Sequence, residues 1–259
     1  MRHRPIQRRS RLATWSRLLG TFAVPVLVIA IVGHRAGLMA TDHAVVLAMA
    51  AFLIAAAALA SGLVAAAVIW QDGRLGARHA VAGMIYALAA LAPLGWLVTE
   101  AVRHPRMSDV STDAVDPPLY RAAAFARVGR YNSPTPPAAV ERARVRALTP
   151  EIGPRRYSVG SDLLYAVTLR RIEAAGWTIL DREPPSGDGD RARIEATARS
   201  PVFGLVDDVV IRILPEPSGA RIDMRNAPRW GEIDFGRGAA RIRAFLDDLD
   251  TAVAETYGS

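Results

Sequence analysis

The sequence predicts an α+β protein of two unlike parts: a three-helix transmembrane region, then a two-layer antiparallel sheet with helices on one face. Three observations carry this. Residues 18–33, 44–70 and 80–99 are apolar runs without a single charge. Beyond residue 103, short stretches alternate apolar and polar residues between turn formers, the period-two signature of half-buried strands. The charge is also divided: of the net +7, residues 1–102 hold +6 (9 Arg against 3 acids), and the remainder holds 23 Arg against 22 acids. The basic excess therefore flanks the apolar runs, which points to a membrane address and not to a nucleic-acid footprint.

The first run, 18–33, spans about 24 Å as a helix, a little short of a hydrocarbon core, and Trp15 and Arg17 extend it by interfacial anchoring. The second run, 44–70, is long enough to cross with tilt. It carries 12 Ala plus Ser61 and Gly62, small side chains that let helices approach, so it is expected to pack centrally between the other two. The third run, 80–99, is closed by Glu100 and Arg103. Segment 1–17 is an Arg-rich N-terminus, and the membrane region runs over 18–102.

Orientation follows from the Arg residues. Arg2, Arg4, Arg8, Arg9, Arg11 and Arg17 precede the first run, and Arg74 and Arg78 follow the second; Arg35, Arg103 and Arg106 lie on the other side. Eight against three predicts a cytoplasmic N-terminus in a bacterial inner membrane, with everything from Arg103 onward in the periplasm. No small-x-small cleavage site follows the first run, and Arg11 stands where a twin-Arg signal needs an apolar residue, so the run is assigned as a helix that stays.

Residues 103–137 form a juxtamembrane connector with the turn formers Asp116-Pro117-Pro118 and a second break at 134–137. The periplasmic α+β domain is expected over 138–259. A short helix over 138–148 is stopped by Pro150. A second starts with Ser161 as N-cap and Asp162 in its first turn, and ends at Gly176. Strands follow at 177–181 and 193–199, then around Val209, Ile211 and Ile213 and around Ile222 and Met224, the last two joined by a turn over 215–219. Ala239, Ile242, Phe245, Leu246, Leu249 and Val253 recur at helical spacing and predict a closing amphipathic helix. Helix, four meander strands and helix make a two-layer sandwich.

Missing residue types narrow the chemistry. There is no Cys and no Lys, and all five His lie at 3, 34, 43, 79 and 104. The outer domain therefore has no Ser-His-Asp or Cys-His centre and no His or thiolate zinc site. His34, His43 and His104 share one membrane interface, but no spacing makes them ligands, so neither metal nor cofactor is expected. Carboxylates, hydroxyls, Tyr and Arg remain. Asp207 and Asp208 are the tempting acidic pair, yet in a regular strand neighbours point to opposite faces and cannot share a proton. Gly236-Arg237-Gly238 opens the last helix near Arg225 and Arg229, a setting that can hold a phosphate or carboxylate. Asp234 is equally placed to cap that helix, and its carboxylate would occupy the same free N–H groups.

The segments Asp109-Val110-Ser111-Thr112-Asp113 and Asp116-Pro117-Pro118, Ile194-Glu195-Ala196-Thr197, Phe203-Gly204, Asp207-Asp208-Val209-Val210-Ile211-Arg212, and Arg229 through Arg241-Ile242-Arg243-Ala244-Phe245 occur in one order. In this the chain resembles membrane-anchored members of the uncharacterised family called domain of unknown function fourteen-ninety-nine, over about 107–249. The resemblance implies no reaction. Asp207, Asp208, Arg229, Asp234 and Arg241 match its pattern; Val206, Glu232 and Gly238 depart from it, where Lys, a basic residue and Asn are usual. The candidate binding residues are thus Asp207, Asp208, Arg225, Arg229, Asp234 and Arg241. The leading expectation is an inner-membrane protein that presents a periplasmic binding or assembly domain to an anionic lipid or another envelope component. Two alternatives stand beside it: a carboxylate- or Arg-based hydrolase or isomerase, which needs Asp207, Asp208 and Asp234 around one pocket, and a structural subunit joined to partners through the Ala-rich helix.

Overall fold

The computed structural model describes residues 9–103, 107–127, 131–187 and 190–257. The chain divides into two compact units, Met1–Thr99 with Val202–Gly204, and Glu100–Pro201 with Leu205–Ser259.

In the first unit, α1 (Arg11–Arg35), α2 (Thr41–Asp72) and α3 (Ala77–Arg103) are each long and apolar enough to cross a membrane. All three continue past the apolar runs into polar flanks, because a helix satisfies its own backbone groups at any depth. The packing differs from the expectation for α2. Small residues from all three helices meet: a Cβ built on Gly20 of α1 would lie 2.6 Å from the Gly83 carbonyl oxygen of α3, and Ser16 Oγ donates to the Ala58 carbonyl of α2 at 2.8 Å. α1 therefore touches α3 directly, and α2 is not interposed. The Ala count drew attention to α2, but single small residues at one crossing level set how closely backbones approach.

The second unit contains β1 (Val110–Ser111), α4 (Ala122–Ala126), α5 (Ala139–Leu148), β2 (Arg155–Tyr157), α6 (Ser161–Ala174), β3 (Thr178–Glu183), β4 (Ala192–Arg199), β5 (Val206–Glu216), β6 (Gly219–Pro228) and α7 (Arg237–Tyr257). The sheet is antiparallel throughout, in the order β1-β6-β5-β4-β3, with β2 also paired to β6. Alternation sends Ile194, Val209, Ile211, Ile213, Ile222 and Met224 to one face, where they pack with Leu164 and Ile172 of α6 and with Ile242, Phe245 and Leu249 of α7. Trp177, just before β3, stacks on Phe245 with ring centroids 4.9 Å apart.

Local boundaries shift by a residue or two. Gly160, not Ser161, is the N-cap of α6; Ser161 is the first helical residue, and its buried hydroxyl makes no hydrogen bond among the described residues. Gly176 ends that helix at φ 68°, where a side chain would be strained. Glu216 pairs with Gly219, so the β5–β6 turn is Pro217-Ser218 alone, tighter than expected.

The connector is the larger difference. Part of it, 107–127, is built into the second unit as β1 and α4. It lies on the sheet face opposite α6 and α7, where Tyr120 and Ala123 pack on Val210 of β5 and Ala227 of β6.

Candidate functional site

β5 divides its two adjacent aspartates as the strand period requires. Asp207 faces α7, and Asp208 faces the connector; both side chains are fully buried. They do not form a dyad.

On the helix face, Arg241 Nη1 of α7 donates to Asp207 Oδ2 at 2.5 Å and to Asn226 Oδ1 at 2.6 Å. Arg237 Nη2 stands 3.6 Å from Asp207 Oδ1. Among the described residues Asp207 Oδ1 and Asn226 Nδ2 make no hydrogen bond. Asp234 accepts from the backbone N–H groups of Gly236 at 2.8 Å and Gly238 at 2.9 Å. It thus caps α7 and takes the donors that an external anion would need. Burial raises the Asp234 pKa, with the two N–H bonds pulling the other way. Gly238 is required by this arrangement: a Cβ there would lie 2.6 Å from Asp234 Oδ2 and 2.9 Å from Asn226 Nδ2.

On the connector face, Asp208 accepts two hydrogen bonds from Arg229, from Nε at 3.0 Å and Nη2 at 2.8 Å, and one from Arg127 Nε at 2.7 Å. Arg127 also donates to the Ala227 carbonyl at 2.8 Å. Arg225, wholly buried, makes a two-pronged pair with Asp109 at 2.9 and 2.7 Å and reaches the carbonyls of Pro118 and Pro134. Tyr120 lies between these clusters. Its ring centroid is 4.5 Å from the Arg225 guanidinium and 4.9 Å from that of Arg127, and its hydroxyl donates to the Asp208 carbonyl at 2.8 Å. Burial drives the Tyr120 hydroxyl well above its ordinary pKa, so it stays a neutral donor. Burial opposes the charge of Arg225, yet the Asp109 bond and charge outweigh it, and the pKa moves up.

Further residues that sequence reasoning passed over complete the network. Glu195 of β4 accepts from the N–H groups of Arg121 at 2.6 Å, Ala122 at 3.2 Å and Ala123 at 2.8 Å, fixing the start of α4. Asp223 of β6 receives Arg212 and Arg221, and burial, partly countered by Arg212, raises its pKa. Arg212 reaches on to Asp113 and Asp116 of the connector. A recess of about 10 Å³ beside Asp109 and Arg225 has room for no more than a water. The signal that could have identified this network lay in the connector's own acids and in the charged outward positions of the strands, Glu195, Asp208, Arg212, Asp223 and Arg225.

Chemically, the six candidate residues are engaged with one another or with backbone. Asp207 and Asp234 lie on one face and Asp208 on the other, so the pocket required by a carboxylate-based hydrolase or isomerase is not assembled; strand alternation forbids it. Asp207 pairs with Arg241, Asp208 with Arg229, and Arg225 with Asp109. Apart from Asp207 Oδ1, which makes no hydrogen bond among the described residues, these groups are paired, and such pairs hold geometry. Among the described residues no three His, Asp or Glu side chains are grouped to hold a metal ion. His34 is buried with Nε2 3.0 Å from Thr41 Oγ1, His43 is exposed beside Asp42, and His104 lies outside the described residues.

Neither a curated protein nor a solved structure matches the chain. A family model does, over residues 109–249, from the first aspartate of the connector into α7. The matched span takes in both halves of the polar network, and the chain belongs to the family described as Protein of unknown function (DUF1499).

Proposed function

We propose that this protein is an assembly or binding subunit of the bacterial envelope, anchored in the inner membrane by α1–α3, with its α+β domain on the periplasmic side. The Arg asymmetry about the apolar runs supports that orientation. One observation carries the functional reading. The ionisable side chains that catalysis or anion capture would use are consumed by internal pairs, whereas large apolar side chains of the connector strap (107–127) and of α5 stand in solvent: Val115 is 87%, Phe125 85% and Val140 83% exposed. A domain that spends its charges internally and leaves apolar groups outside is suited to recognition by its surface.

The test is site-specific photo-crosslinking in cells from position 125, with position 218 in the β5–β6 turn as the control. The expected result is a discrete adduct with one envelope protein from position 125, absent from position 218 and lost when Val115 and Val140 are both changed to Asp. Equal, diffuse labelling from both positions would overturn the reading.

A further inference from the structure

At one end of the helical unit, the start of α1 and the turn between α2 and α3 enclose a cleft of about 730 Å³. Ser10 N–H donates to the Leu75 carbonyl at 2.9 Å, and Arg9 and Leu75 form a β-bridge, so the segment before α1 is tied to that turn. Arg9, Arg17, Arg74, Arg78, His79 and Tyr86 line the space.

The charge in this cleft is not balanced by the protein. Arg74 pairs with Asp72 at 2.8 Å; among the described residues Arg9, Arg17 and Arg78 have no acidic partner. Neither α1 nor α3 has an acid in its first turn. α1 instead begins with Arg11, and α3 carries Arg78 in its first turn, so side-chain cations gather where two helix dipoles are already positive. That is the reverse of what helix stability favours and of the internal pairing throughout the second unit. A bound anion relieves both at once.

We infer that this cleft binds the phosphate of an anionic phospholipid headgroup. The level fits: Arg9 and Arg74 lie at the ends of the spans, and the exposed Trp15, one turn into α1, stands where an aromatic side chain meets the headgroup boundary. Ala82 and the Tyr86 ring supply an apolar wall along which an acyl chain can run. The surplus of guanidinium selects a headgroup with net negative charge, since a zwitterionic lipid would bring its own cation into the cluster. The inference rests on the helices crossing a bilayer and not on the role of the soluble domain, so either can fail without the other.

The full chain is reconstituted in nanodiscs of phosphatidylcholine with a minor fraction of phosphatidylglycerol, and lipid retained after detergent transfer is read by native mass spectrometry. Phosphatidylglycerol is expected to be retained in preference to phosphatidylcholine, and the Arg17→Gln/Arg78→Gln double variant to weaken that preference by about tenfold. Arg17→Lys/Arg78→Lys is expected to restore part of it. An unchanged melting temperature of the Gln variant in pure phosphatidylcholine shows that the helices remain folded. Equal retention of both lipids, or undiminished preference in the Gln variant, overturns the inference. Stabilisation by millimolar inorganic phosphate that abolishes phosphatidylglycerol retention reassigns the cleft to a soluble phosphate and overturns the lipid assignment.

Discussion

Gly238 sits where Asp234, Asn226 and the first turn of α7 converge, and it has no room for a methyl group. Gly238→Ala is therefore expected to destabilise the domain by about 1–3 kcal/mol, read as a lower melting temperature; an unchanged value would mean that Asp234 does not cap α7 as described. The same carboxylate has a pH signature. Its folded pKa is raised above the ordinary 3.8, so its titration contributes stability that is complete below that value and fades as pH climbs through the folded pKa. The margin of wild type over Asp234→Asn should accordingly widen as pH is lowered from about 7 to about 4. A margin that stays constant or narrows would contradict the raised pKa. Asp208 tests the opposite face: Asp208→Ala strands two guanidiniums, one wholly buried, and breaking such a site costs about 3–5 kcal/mol. Denaturant unfolding would register it, and a loss below about 1 kcal/mol would show that water already reaches the pair.

Secondary-structure elements differ in how much of themselves they announced. The four longer strands, α6 and α7 follow from periodicity, since a face buried against α6 and α7 must be apolar at every second position of a strand. β1 and β2 have two and three residues and exist only because the edge of β6 accepts them. The strap from Met107 to Arg127 is the clearest case. Its composition reads as loop, yet Thr112 N–H donates to the Met224 carbonyl at 2.9 Å, and Met224 N–H donates to Thr112 Oγ1 at 2.8 Å. A soluble fragment beginning at residue 107 is expected to unfold cooperatively on heating. One beginning at residue 131 leaves Val210 and Ala227 bare and Arg225 unpaired, and should lose that cooperativity. Matching thermal transitions for the two fragments, followed by circular dichroism, would remove the strap from the fold.

Across the whole chain, the two units pack by two chemistries. In α1–α3, each long and apolar enough to cross a membrane, small residues such as Gly20, Ser16 and Gly83 set the packing, as a lipid surround would require, since there apolar side chains would gain nothing from association. In the second unit water drives Ile, Leu and Val inward on one sheet face, and Arg–carboxylate pairs bind the strap on the other. The orientation of the chain is tested by fusing alkaline phosphatase or green fluorescent protein after Ser259. Phosphatase activity without fluorescence is expected, and bright fluorescence with an inactive phosphatase would put the domain in the cytoplasm and end the envelope reading.

Uncharged runs of membrane length and period-two or period-3.6 patterns are local properties of the chain, so the three helices, the α+β class and the opposite facing of Asp207 and Asp208 were legible from residue order. Which charges meet was not. Asp109 and Arg225 are far apart in the chain, as are Arg127 and Asp208, and long-range pairing leaves no periodic trace. Folding converted residues that looked like an anion-binding set into an internal network, because a buried charge is tolerated only beside its counter-charge.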